Sequence, residues 1–174
     1  NVRFVMAGSG DMMNKMIRLA AQRNISDHFH FTGFLKGKQV YEMLKASDVY
    51  VMPSVSEPFG ISPLEAMQVG VPSIISKQSG CAEILTNAIK TDYWDLNPCR
   101  SVACSWSMAE NTLMNAIKTD YWDIDAMADA IYSIITYPAM YQQLKIEGKK
   151  EVDEIKWVYA GQKVIDIYNK VIHR

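Results

Sequence analysis

The chain has 174 residues, room for one domain with a sizeable core, and its 49% hydrophobic and 21% charged residues mark a folded rather than a disordered protein. Eighteen Lys and Arg against nineteen Asp and Glu leave a formal net charge of −1, which offers no basic face to nucleic acid or an anionic membrane. No apolar run approaches the roughly 20 residues that span a bilayer, and no transmembrane segment or secretory signal is expected.

In chain order, Val2, Phe4 and Met6 alternate with Arg3 and Val5 as a strand, closed by a Gly8-Ser9-Gly10 turn. Residues 11–23 read as a helix, with Met12, Met16, Leu19 and Ala20 at helical spacing and the Met12, Met13 and Met16 group expected in the core. A second strand is predicted over 29–33 and a second helix over 39–46. His28 and His30 flank Phe29 there as surface residues, and with His173 they form no ligand spacing. Residues 48–52 are a near-continuous apolar run ended by Pro53, the pattern of a strand buried on both faces. A helix over 63–69 stopped by Gly70, a buried strand over 71–75 and a short helix over 81–85 follow. Beyond residue 124 the pattern is helical: a stripe of Met127, Ala130, Ile131 and Ile134, then helices over 140–147 and 155–172, with the late Tyr and Trp residues expected to pack. Strands alternating with helices mean βαβ units, hence an α/β fold with a Rossmann-like, doubly wound parallel sheet and extra C-terminal helices. One domain is expected over 1–174, truncated at its N-terminal edge, because such a sheet usually begins at its topological centre.

The nonapeptide 87–95 recurs unchanged as 115–123, an offset of 28 residues with 96–114 between the copies. Removing either 87–114 or 96–123 joins the remaining copy smoothly onto Ile124, so the simplest reading is a duplication inside a parent of 146 of the 174 residues. One copy is expected in the native slot, with the other and much of 96–114 extruded. Asp123 and Asp125 are N-cap candidates for the next helix. Of the three cysteines, Cys81, Cys99 and Cys104, the last two lie in the insert and have no zinc-like spacing. Three cysteines form no disulfide framework, and a reducing, cytoplasmic setting is expected.

The stretch from Pro53 to Pro72 carries the chemistry. A buried strand ends at Pro53, an irregular loop bears Glu57, and a helix starts near Pro63. In an open parallel sheet, ligands bind beyond the carboxyl ends of the strands. Gly60 lets a ligand approach the backbone, and the free amides and positive dipole end of the helix suit a phosphate. Ser62-Pro63-Leu64-Glu65 also reads as a capping box, with Ser62 as N-cap and Glu65 reaching back to it, and Glu57 reads equally as a solvated loop acid. Gly8-Ser9-Gly10 starts a dinucleotide fingerprint, but Met13 stands where its third glycine belongs.

The Pro-Ser strand end, Glu57, seven intervening residues, Glu65-Ala66-Met67, Gly70 and Val71-Pro72 resemble the signature of retaining GT-B glycosyltransferases of group 1, the glycogen synthase-like family. Gly8-Ser9-Gly10, residues 31–34, residues 46–49 and the loop 79–83 match that pattern too, over nearly the whole chain except 96–114. The resemblance implies the C-terminal, donor-binding half of an enzyme that moves a sugar from a nucleoside diphosphate to an acceptor, with no metal or further cofactor. It assigns Glu57 to the donor sugar hydroxyls, Glu65 to the ribose, the amides of Phe59, Gly60 and Ile61 to the diphosphate, and Gly33 and Phe34 to the neighbourhood of the base. Asp120-Tyr121-Trp122-Asp123 and its copy, with the helices that follow, look most like enzymes of α-glucan synthesis. Two departures stand out: Ser79 replaces the first glycine of the family's Gly-Gly loop, and the strand with its basic Arg and Lys would precede residue 1. The isolated chain is therefore expected to bind donor weakly, its partner being the missing N-terminal domain. The alternatives are half of a sugar-nucleotide epimerase, and a non-catalytic Rossmann-like domain that self-associates by exchanging the duplicated segment.

Overall fold

The computed structural model describes residues 2–85, 89–90 and 115–156, together with 161–162, 165–166 and 168–169. The chain divides into two compact units, Asn1–Met43 and Leu44–Arg174.

In the first unit, β1 (Phe4–Ala7) leads through α1 (Met13–Gln22) and a 3-10 turn at Ser26–His28 into β2 (Phe29–Gly33). The two strands are parallel, with Phe4 opposite Phe29 and Met6 opposite Phe31. The Phe4 and Phe29 rings stack at 5.0 Å, and Phe29 stacks on Phe31 at 5.8 Å, so aromatic packing supports this pair. The methionines differ from expectation: Met12 is 54% exposed, Met13 and Met16 are half-buried, and Ala20 alone on α1 is fully buried. His28 lies in the 3-10 turn rather than in the strand, its Nδ1 3.0 Å from the carbonyl oxygen of Val2, and both it and His30 are exposed. The helix α2 (Lys38–Lys45) carries the chain across the boundary between the units.

The second unit contains β3 (Tyr50–Met52), α3 (Ile61–Gln68), β4 (Ser73–Ser76), α4 (Cys81–Ile84), β5 (Ile89–Lys90), β6 (Ile117–Thr119), α5 (Ile124–Thr136) and α6 (Pro138–Glu154). Its sheet is parallel throughout, in the order β3-β4-β6-β5. All four residues of β4 are buried, as expected of the strand predicted at 71–75. The apolar run at 48–52 differs from its expectation: Asp48 is exposed, Tyr50 and Val51 of β3 are half-buried, and only Met52 is buried. Consecutive residues of β4 serve opposite faces. Ile74 packs with Ile117, Ala130, Ile134, Met140 and Leu144 from β6, α5 and α6. Ile75 packs with Met52, Leu64, Met67, Cys81 and Leu85 from the side of α3 and α4. This is the α/β arrangement read from the sequence, a parallel sheet with helices on both faces.

The duplicated nonapeptides meet in this sheet. The second copy supplies β6 beside β4, and Ile89 and Lys90 of the first pair in parallel with their own counterparts, Ile117 and Lys118. Ile89–Lys90 thus extend the sheet instead of leaving it, whereas the rest of the first copy and the insert with Cys99 and Cys104 lie outside the described residues. Asp123 caps α5 as expected, its Oδ1 accepting the amide of Ala126 at 2.9 Å.

Pro138 occupies the first turn of α6, which runs through Gly148 to Glu154, past the predicted end at 147. A Cβ at Gly148 would stand 2.9 Å from the carbonyl oxygen of Asn115 and 3.2 Å from Met67 Cε. This glycine therefore marks a close crossing of helix and chain, not a helix stop. Most of the predicted 155–172 helix lies outside the described residues, although 161–162, 165–166 and 168–169 are helical and residues 155–156 are not. The late aromatic residues divide: Tyr141 packs against the core as expected, whereas Trp122 is 56% exposed and Tyr132 and Tyr137 are exposed as well. Among the described residues no helix is long and apolar enough to cross a membrane.

Candidate functional site

The carboxyl ends of β3, β4 and β6 open onto three segments: the loop from Pro53 to Gly60, the loop from Lys77 to Gly80, and the turn starting at Asp120. These segments are tied to one another. Ser76 Oγ donates to the carbonyl of Ser54 at 2.6 Å. Glu57 and Ser79 form a parallel bridge, in which the amide of Gly80 donates to the Glu57 carbonyl at 2.9 Å and the amide of Cys81 to that of Phe59. The approach is so close that a Cβ at Gly80 would stand 2.1 Å from the Pro58 carbonyl oxygen. Glycine is thus required sterically at 80. At 79 the serine that departs from the family pattern is buried and useful: its Oγ donates to the carbonyl of Ser76 at 2.7 Å and touches Cys81 Sγ at 3.3 Å.

Gly60 has φ 82, a left-handed conformation that favours glycine, and serves as the N-cap residue of α3. The capping box expected at Ser62–Glu65 therefore does not form. Ser62 is already inside the helix, and no side chain caps its start. Pro63 falls within the first turn, where a missing N–H costs no intrahelical bond. The same geometry leaves the amides of Gly60, Ile61 and Ser62 without intrahelical acceptors.

Instead of capping, Ser62 Oγ accepts a hydrogen bond from the Tyr50 hydroxyl at 2.8 Å, which joins β3 to the first turn of α3. Burial raises the pKa of Tyr50 above its ordinary 10.0. The Ser62 hydrogen bond lowers it in part, and negative charge on Cys81, Glu65 and Glu57 adds to the rise. Both predicted carboxylates thus lie close enough to Tyr50 to be felt there. Tyr50→Phe should cost about 1 kcal/mol at pH 8 by urea denaturation. Because the folded pKa exceeds the unfolded one, the ionisation-linked stability of the parent is complete below about pH 10 and is lost as pH rises through the folded value. The gap between parent and Tyr50→Phe should shrink over that range; a gap constant to pH 11 would count against the buried hydroxyl.

Glu57 is half-buried, its Cγ 3.1 Å from where a Cβ on Gly60 would lie, and Glu65 is exposed. No described residue gives either carboxylate a hydrogen bond or an ion pair. Phe59 is half-buried against the cluster on the α3 side, Gly60 is buried, and Ile61 is 57% exposed. Gly33, which ends β2, and Phe34, exposed with Lys36 Nζ 5.8 Å from its ring centre, belong to the first unit. Cys81 is a buried free thiol, its pKa raised by burial first, eased by its hydrogen bond with Ser79 and raised again by Glu57. Among the described residues no three His, Cys, Asp or Glu side chains are grouped to hold a metal ion.

Three features escape sequence reading. Lys118, buried in β6, donates through Nζ to the carbonyl of Leu85 at the end of α4. Lys77 Nζ lies 3.2 Å from Asp120 Oδ2, and Gln78 Nε2 donates to Asp120 Oδ1 at 2.9 Å. The Tyr50–Ser62 bond is the third. Each links residues too far apart for a local pattern to reveal.

Residues 1–94, more than half of the chain, match the family described as glycosyl transferases group 1. The chain belongs to that family. It is 40% identical over 89 residues to the uncharacterized glycosyltransferase MJ1607 of Methanocaldococcus jannaschii, covering 51% of this chain and 23% of that protein. It is 27% identical over 152 residues to the alpha-maltose-1-phosphate synthase of Mycobacterium tuberculosis, covering 86% of this chain and 34% of that one. The fold is that of the crystal structure of Anabaena HepE in complex with UDP-glucose, with a TM-score of 0.72 at 16% identity over 97% of this chain and 41% of the other. This member of the family thus spans well under half the length of the relatives it matches.

Proposed function

We propose that this chain is the donor-binding, C-terminal half of a retaining GT-B glycosyltransferase that uses a nucleoside diphosphate sugar. One observation carries the reading: Glu57, the uncapped start of α3 and Glu65 stand together at the carboxyl edge of a parallel sheet, with both carboxylates unengaged by any described residue. The amides at the start of α3 and its dipole suit the diphosphate, whose charge grows as the bond to the sugar breaks and the acceptor oxygen takes its place. Glu57 accepts hydrogen bonds from the sugar hydroxyls and Glu65 from the ribose. The name of the mycobacterial relative, which makes an α-maltose phosphate, supports transfer of an α-linked glucosyl unit, the HepE complex supports a UDP-sugar donor, and an α-glucan acceptor rests on the family resemblance alone. The acceptor side belongs to a second domain, so the isolated chain binds donor weakly and transfers little.

Calorimetric titration of the chain with UDP and UDP-glucose tests the reading. Glu65 is exposed and caps nothing, so Glu65→Gln should weaken UDP about tenfold at an unchanged melting temperature. Unchanged affinity with a lower melting temperature would make Glu65 structural after all. A sugar transferred to acceptor by the complete enzyme, rather than a donor merely epimerised, excludes the epimerase alternative.

A further inference from the structure

Sugar recognition through Glu57 depends on where its backbone sits, and that backbone is held from behind. The amide of Gly80 donates to the Glu57 carbonyl, and Glu57 bridges to Ser79. Ser79 directly follows Lys77 and Gln78, and both of those side chains end on one carboxylate, Asp120, at 3.2 and 2.9 Å. The backbone repeats the connection, the amide of Lys77 donating to the carbonyl of Thr119 at 2.9 Å. The Lys77–Asp120 pair is mostly shielded, its side chains 20% and 14% exposed, so it is screened less than a surface pair would be. Asp120 follows β6 directly, on a strand whose three residues are all buried, and is therefore anchored in the sheet rather than on a free loop.

We propose that Asp120 is a positioning residue for the donor sugar. By clamping Lys77 and Gln78 at the end of β4, it sets the Ser79–Gly80 backbone that holds Glu57, and through it the preference for a nucleotide sugar over the bare nucleotide. The inference rests on the donor reading given above. It also uses a control that the duplication supplies, because Asp92 occupies the same place in an identical nonapeptide.

The full chain and its Asp120→Ala, Asp120→Asn and Asp92→Ala variants are titrated with UDP and with UDP-glucose, and the exchange of the Gly80 and Cys81 amides is followed by NMR. In Asp120→Ala the advantage of UDP-glucose over UDP should fall about tenfold, the scale of one lost hydrogen bond to a charged group, while UDP affinity stays within about threefold. The two amides should exchange faster. Asp120→Asn keeps an acceptor and should recover part of both effects, which a general loss of stability would not allow. Asp92→Ala should match the parent. Unchanged exchange and an unchanged UDP-glucose advantage in Asp120→Ala overturn the proposal, as does an effect confined to Asp92→Ala. Failure of the parent to bind UDP or UDP-glucose sinks the donor reading and with it the preference assigned to Asp120. The exchange of Gly80 and Cys81 still decides whether Asp120 holds the Glu57 backbone, so the two failures are told apart.

Discussion

Gly80→Ala is expected to destabilise the second unit by about 3 kcal/mol or more, a cost at the upper end of overpacking, and to abolish donor binding with it. The added Cβ would stand 2.1 Å from the Pro58 carbonyl oxygen, 2.8 Å from its carbon and 2.9 Å from Phe59 Cα. All three are backbone atoms of the loop that presents Glu57, so no side chain can swing aside to make room. Gly80 itself sits at φ −61, a conformation any residue adopts. The whole penalty is therefore steric and falls on the Glu57–Ser79 bridge. Gly60 makes the useful contrast, since its left-handed backbone would strain an alanine while the atoms a Cβ would meet, on Met52, Glu57 and Cys81, are all in side chains. Thermal melts and UDP titrations of Gly80→Ala against the parent measure the effect, and a melting temperature within a degree of the parent would show that the two loops do not meet this closely.

Glu57→Gln should do the opposite, leaving the fold intact and removing function. Its carboxylate takes no hydrogen bond or ion pair from a described residue, and its charge helps to raise both the Tyr50 and the Cys81 pKa. Neutralising it costs no native interaction. Hydrogen bonds from sugar hydroxyls to a charged acceptor are worth about 1.5–3 kcal/mol, so the affinity for UDP-glucose should fall tenfold or more while that for UDP holds. In the complete enzyme the loss should appear in transfer as well. A variant that melts lower yet binds UDP-glucose like the parent would return Glu57 to the role of a structural loop acid.

These expectations separate what is local from what is not. Alternating strands and helices, the strand within 48–52, Asp123 as a helix cap and the spacing from Glu57 to Glu65 are legible because each is written within a turn or two of chain, whereas burial of that strand on both faces is not, since only Met52 of the run is buried. The local pattern misplaces the start of α3 for the same reason. Ser62-Pro63-Leu64-Glu65 satisfies every local rule for a capping box, but with Gly60, packed against Met52, Glu57 and Cys81, as the N-cap residue the helix starts two residues earlier than that box allows. The methionines of α1 and the late aromatics show a similar limit, since helical spacing says which residues share a face and not whether anything covers it.

The sequence alone determined the family, the α/β class and the spacing of the two candidate carboxylates, all short-range patterns of residue type. It could not decide which of two identical nonapeptides lies beside β4, because identical segments carry identical local preferences. That choice rests on distant partners: Lys77 and Gln78, more than 40 residues away, reach Asp120, and Asp123 leads directly into α5. The necessity of Gly80 is of the same kind, invisible in a loop read by itself and imposed by a neighbouring backbone that only the folded chain brings within reach.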